Sequence, residues 1–144
     1  MAEIAGLDAV IGRVREVRER AASPQPPMRE SADYMLASVD RNFAAQGRPE
    51  RWEPHAETTR ERLIGPQRLL ERSGTMRGGF EPSFSASGWG IANAAARAYW
   101  PRQHFGFNGN GGRGHSRTPA RPFLLFQTED VPAVGRIFAD YFFR

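Results

Sequence analysis

The stretch Ala98-Tyr99-Trp100-Pro101-Arg102-Gln103-His104-Phe105-Gly106, followed after a glycine-rich excursion by Pro119-Ala120-Arg121-Pro122-Phe123-Leu124, decides how this chain reads. It sets an aromatic turn, the loop Asn108-Gly109-Asn110-Gly111-Gly112-Arg113-Gly114 and an Ala-Arg-Pro-Phe-Leu run ahead of an amphipathic segment. Tyrosine, tryptophan and arginine beside prolines are the rigid anchors that protein–protein interfaces favour. This order of parts points to assembly rather than catalysis. The subunit-interface candidates are Tyr99, Trp100, His104, Phe105, Phe107, Arg113, Arg121, Phe123 and Phe142. The glycine loop is too rich in glycine to form a regular element, and it reads as a surface loop that inserts into a neighbouring subunit.

Downstream, Thr128 is placed to cap a last helix, with Glu129 and Asp130 in its first turn where the helix dipole favours acids. Val131, Val134, Ile137, Phe138, Tyr141 and Phe142 form its apolar side, and Phe142-Phe143 extend that side around the helix. Upstream, Phe80, Pro82, Phe84 and Ala86 alternate with polar residues, a period of two that predicts a half-buried strand. Pro82 argues for an edge position. Ser87-Gly88 signals a turn, and Trp89 to Ala94 returns as the partner strand. Ala94 to Ala98 begins a short helix that Pro101 disrupts.

Further back, Ile4, Leu7, Ile11 and Val14 recur at helical spacing over residues 2–21, with Val10 and Val17 beside them. Ser23-Pro24-Gln25-Pro26-Pro27 ends that helix, and a second follows with Met28, Ala32, Met35, Val39 and Phe43 on one face. Gly47 and Pro49 close it. Between Gly47 and Gly65 the text is polar, with a short helical piece around 57–63, and Trp52 is the residue there that must be anchored. These elements predict an α+β fold: one domain spanning 1–144, with an N-terminal helix at 1–22, a Pro-rich linker at 23–27 and the remainder at 28–144. A short antiparallel sheet and a C-terminal helix complete it.

The 144 residues suffice for a single modest core. No apolar run approaches the roughly 18 residues that span a bilayer, and the first residues show no charged-then-apolar leader, so the expectation is cytoplasmic synthesis with no membrane partner. The chain contains no cysteine, which excludes disulfides and thiolate metal sites. Its net charge of +4 comes from arginine alone, for there is no lysine. GC-rich codon usage accounts for that bias; so does the planar fork with which arginine holds carboxylates, phosphates and rings at interfaces. The charges are mostly interspersed, as in Glu16-Val17-Arg18-Glu19-Arg20 and Arg60-Glu61-Arg62, a pattern of solvated helix faces.

Little in the chain reads as reaction chemistry. His55, His104 and His115 lack the i, i+4 spacing of a helical zinc site, and no nucleophile elbow or orienting acid flanks them. The glycine loop lacks the Gly-Lys-Ser/Thr of a phosphate-binding loop, and Gly111-Gly112-Arg113-Gly114 is a single copy of a unit that RNA-binding tracts repeat. No catalytic residue, cofactor or metal is expected. A monomer of this length would struggle to bury ten phenylalanines, three tryptophans and three tyrosines.

From about Met28 onward the order of parts resembles the phage virion morphogenesis, or tail completion, proteins of Mu-like and related tailed phages. Four pieces carry the resemblance: Trp52-Glu53-Pro54 with Thr58; Leu69-Leu70 leading to Ser73-Gly74-Thr75-Met76-Arg77; Ala98-Tyr99 to Gln103-His104-Phe105-Gly106; and Pro119-Ala120-Arg121-Pro122-Phe123-Leu124 before the acidic start of the last helix. The family commonly has a Tyr-Ala pair and then His-Gln-Phe-Gly, where this chain has Tyr99-Trp100 and the inverted Gln103-His104. Residues 2–21 lie outside the match. The resemblance implies a tail-terminator-like domain acting as a structural virion protein, made in the host cytoplasm. It would form a homo-oligomeric ring of six copies at the head–tail neck, contact tail tube and head-connector proteins, and have passing contact with DNA in the channel. A head-closure or adaptor role in the neck, and nucleic-acid binding through the arginines and glycine loop, are the alternatives.

Overall fold

A computed structural model describes residues 5–65, 68–109 and 117–144. Among these residues the chain order is α1 (Leu7–Ala22), α2 (Gln25–Ala44), α3 (Glu57–Arg60), α4 (Thr75–Gly78), β1 (Phe80–Phe84), β2 (Trp89–Asn93), α5 (Trp100–Phe105) and α6 (Asp130–Phe143). This is a small single-domain α+β fold with one two-stranded antiparallel sheet.

Helix α2 is the axis of the body. Its buried positions, Pro27, Ser31, Ala32, Met35, Ser38, Val39, Asn42 and Phe43, recur at helical spacing along one face, and that face meets the hairpin and α6. The helix begins earlier than its prolines suggest. Pro26 and Pro27 lie in the first turn, where a backbone N–H has no intrahelical acceptor and its loss costs nothing. The expected linker at 23–27 is therefore only Ser23 and Pro24.

The hairpin has the expected strands, with Phe80 opposite Asn93 and Phe84 opposite Trp89. The Ser85 N–H donates to the Gly88 carbonyl across the turn at 2.7 Å. The hairpin lies along α2 with its tip toward that helix's start: Phe80 reaches Phe43, while Phe84 meets the Arg29 guanidinium, 6.0 Å from its ring centre. Of β1 only Phe80 is buried, so the alternation reads correctly for one residue and overstates the rest.

The core gathers around two rings. Phe43 packs edge-on to Trp52 with centroids 5.4 Å apart, and Phe123 lies at the same distance from Phe43 and 5.7 Å from Phe80. Val39, Leu69, Met76 and Ala96 fill the space between. Trp52 is anchored as expected, its indole N–H donating to the Pro122 carbonyl at 2.9 Å. Asn93 donates to the Met76 carbonyl and accepts the Ala96 N–H, which fastens α4 to the end of the hairpin.

Two helix boundaries depart from the sequence reading. Pro101 opens α5 instead of breaking a helix at 94–98, again because a first-turn proline gives up no bond. At α6 the Thr128 hydroxyl is not the cap. The Asp130 carboxylate accepts the Gln127 N–H at 2.7 Å, closing the turn from inside the helix.

Candidate functional site

The interface candidates divide between the interior and the surface. His104 is buried on α5, and its Nδ1 accepts the N–H groups of Phe123 and Leu124 at 3.3 and 3.4 Å. An acceptor at Nδ1 places the imidazole proton on Nε2, and burial pulls the His104 pKa below its ordinary value. Arg121 is also buried. Its guanidinium forks onto the carbonyls of Glu53 and Pro54 at 3.0 and 3.4 Å, and desolvation lowers its pKa. Phe123 is fully buried. These three residues are internal fasteners and not interface anchors. The segment they hold runs beside Trp52, whose indole N–H donates to the Pro122 carbonyl.

Trp100 packs partly against that core, 6.3 Å from Phe123. Tyr99 and Phe105 are exposed, the latter strongly so. Phe107 is half-buried under the Arg102 guanidinium, 4.3 Å from its ring centre. Paired backbone bonds of 2.8 Å join Phe107 to Thr118 and close the base of the glycine loop. Gly106, at φ 75°, makes the bend before that bridge. Arg113 and most of the loop's glycines lie outside the described residues. Phe142 is half-buried on α6 between Phe138, Tyr141 and Phe143.

One exposed apolar surface is on α1, which buries no residue at all. Leu7, Val10, Ile11 and Val14 form its apolar stripe, with exposures from 39% to 61%. The helix is held by its other side and its end. Arg13 donates to the Phe143 carbonyl, Arg20 to the carbonyls of Phe142 and Arg144, and the Tyr141 hydroxyl to the Ser23 carbonyl. Two guanidinium groups thus meet the carbonyls at the negative end of α6. The apolar stripe lies about a third of a turn round α1 from these arginines and is open to solvent. It is an amphipathic helix exposed on both faces, the apolar one included.

A second apolar patch lies on the body. Exposed Phe126 stands 6.0 Å from the Trp89 ring, and the two rim a groove of about 180 Å³ floored by Met35, Val39, Ile91 and Leu124. The stripe and the groove belong to different elements, so they can meet only as unlike surfaces.

A buried polar network, which the sequence reading missed, ties α2 to the start of α6. Ser38 donates to both oxygens of Asp130, at 2.9 and 2.8 Å, and the Tyr34 hydroxyl reaches the same carboxylate at 3.1 Å. Burial, and then the neighbouring carboxylate, raise the Tyr34 pKa above its ordinary value. Arg48 bridges Asn42, Ser38 and Glu129. Gln127 donates to Asn42 and to the Arg48 carbonyl. The hint was two polar residues, Ser38 and Asn42, each one position before an apolar core residue of α2.

Among the described residues no group of three or more His, Cys, Asp or Glu side chains is placed to hold a metal ion. No helix among them is long and apolar enough to cross a membrane. No protein-family model, curated protein or solved structure matches this chain.

Proposed function

We propose that this chain is a structural virion protein of a tailed phage or phage-like particle, a tail completion or terminator subunit. It acts by assembling into a ring at the head–tail neck and joining the tail to the head connector. The observation that carries the reading is α1, a 16-residue helix that buries nothing and turns four aliphatic side chains to solvent. Covering a half-exposed Leu, Ile or Val gains about half of the roughly 1.5–3 kcal/mol for full burial, so the stripe offers about 3–6 kcal/mol to a partner.

The partner is another copy, because the body carries an apolar groove beside Phe126 that the stripe does not occupy within its own chain. Two unlike patches make a head-to-tail contact, and such contacts close into rings when the rotation permits. Six copies, the neck position and assembly in the host cytoplasm follow from the family resemblance. Trp52, Leu69, Met76, His104 and Phe123 come from the four quoted pieces, and all meet around one core. Those pieces are therefore one framework.

The test is the size and symmetry of the purified chain, by light scattering and particle imaging, beside the variant Leu7→Glu/Val14→Glu. The expected result is a closed ring for the native chain and a monomer of unchanged thermal stability for the variant, whose substituted positions are exposed in the monomer. A native chain that stays monomeric at high micromolar concentration would overturn the reading.

A further inference from the structure

His55, Leu70 and Arg72 line two adjoining clefts that belong neither to the stripe on α1 nor to the groove beside Phe126. The larger, of about 430 Å³, also has Thr59, Arg62, Arg68 and Glu71 on its walls. The smaller, of about 250 Å³, adds Ser73, Tyr99, Gln103 and Arg121. Sharing a wall, the two make one trough that runs from Thr59 past His55 to Tyr99.

The trough is electropositive. Its carboxylate, Glu71, is already taken by Arg68 at 2.6 Å and by Arg77 at 2.9 Å. Arg121 spends its N–H groups on backbone carbonyls and keeps its charge. Arg62 and Arg72 are exposed and form no ion pair or side-chain hydrogen bond among the described residues. Two uncommitted guanidinium groups thus stand over a trough also lined by Thr59 and by Ser73, whose hydroxyl donates to Thr75 at 3.0 Å. The exposed ring of Tyr99 ends the trough, and exposed Ile64 borders its other end.

Cations strung along a trough suit a chain of repeating negative charge better than one small anion. Guanidinium forks match phosphate oxygens, and rings beside them suit bases or sugars. A second copy of this protein is a poor occupant, since its acids alternate with arginines, as in Glu16-Val17-Arg18-Glu19-Arg20, and offer no carboxylate run. We propose that the trough binds the phosphates of a nucleic-acid strand, with Arg62 and Arg72 forking onto phosphate oxygens and Tyr99 stacking on the strand. The proposal does not depend on the ring reading, because binding is measured on whatever oligomer the chain forms.

The experiment is fluorescence anisotropy with a labelled 20-nucleotide oligothymidine, in sodium chloride from 50 to 200 mM. It compares the native chain, Arg62→Ala/Arg72→Ala, and Arg15→Ala/Arg136→Ala, which removes equal charge from α1 and α6. Circular dichroism verifies that each variant is folded. The native chain is expected to bind at the lowest salt. Losing the trough arginines should weaken binding at least tenfold and flatten the log–log salt slope by about 1–2, at about 0.7–0.9 per phosphate contact. The control variant should stay within threefold of native. The proposal fails if the native chain does not bind at 50 mM, or if both variants weaken binding equally. It also fails if orthophosphate or polyglutamate displaces the probe as well, charge for charge, as unlabelled oligothymidine, since the ligand would then be a free anion or an acidic peptide.

Discussion

Phe123 offers the sharpest test of where this chain keeps its anchors. The order of its sequence places the ring at a subunit contact; the fold places it, fully buried, between His104, Phe43, Phe80 and Trp100 at centroid distances of 4.9, 5.4, 5.7 and 6.3 Å. Truncating a buried phenylalanine costs about 3–5 kcal/mol, because the cavity left behind collapses only in part. With four ring neighbours, Phe123→Ala belongs at the upper end of that range. Whole domains are stable by about 5–15 kcal/mol, so a third or more of the total is at stake. At about 3–4 °C per kcal/mol for a chain of this length, the melting temperature should fall by roughly 10–20 °C. The assay is thermal unfolding by circular dichroism at several protein concentrations, so that dissociation separates from unfolding. Phe126→Ala is the control: its ring is exposed beside Trp89, and its loss should move the melting temperature by only a few degrees while weakening assembly. If Phe123→Ala melts within about 3 °C of the native chain and yet fails to assemble, the ring is an interface anchor and the account of the core given above is wrong.

Other outcomes follow from the same geometry. His104 and His55 are both held below their ordinary pKa, His104 by burial and His55 by burial and then the Arg121 charge. The unfolded chain takes up these protons first, near pH 6.5. Their contribution to stability is complete above that pH and declines as pH falls below it. His104→Asn keeps a neutral acceptor and should flatten the urea midpoint between pH 7 and 5; an unchanged slope would remove His104 from the explanation. Asp130→Ala strands the Ser38 and Tyr34 hydroxyls and the Gln127 N–H, and should cost about 3–5 kcal/mol in urea unfolding; a loss under about 1 kcal/mol would deny the network its structural role. Gly47 sits at φ 116°, and an added Cβ would lie 2.5 Å from the Glu50 carbonyl oxygen and the Trp52 nitrogen. Gly47→Ala should therefore cost about 2 kcal/mol or more, and a neutral result would contradict the turn that seats Trp52.

The helices and the hairpin were legible because their signals are local. The stripe Ala32, Met35, Val39 and Phe43 needs only its own spacing to be read, and Phe80 to Phe84 needs only alternation. Prolines misled twice, at Pro26-Pro27 and at Pro101, since a proline that opens a helix and one that ends it look alike without a neighbouring fold. His104, Arg121 and Phe123 stood out as anchors, but that they anchor the interior was not legible. Arg121 forks onto the carbonyls of Glu53 and Pro54 of its own chain. The Ser38–Asp130 pairing spans 92 positions, and nothing local announces a partner at that distance. On α1 the pattern itself was plain, but periodicity tells which side is apolar and not whether anything covers it.

The two ends of α6 are held in different ways. Its root is clamped by the buried carboxylate of Asp130 to the central helix, while its tip hangs from the arginines of an arm joined through Ser23 and Pro24. A beam so mounted is stiff where it meets the body and compliant where it meets the arm. Displacing the arm would load the tip of α6 and leave the packed rings of the interior untouched, since α1 supplies none of the residues of that cluster.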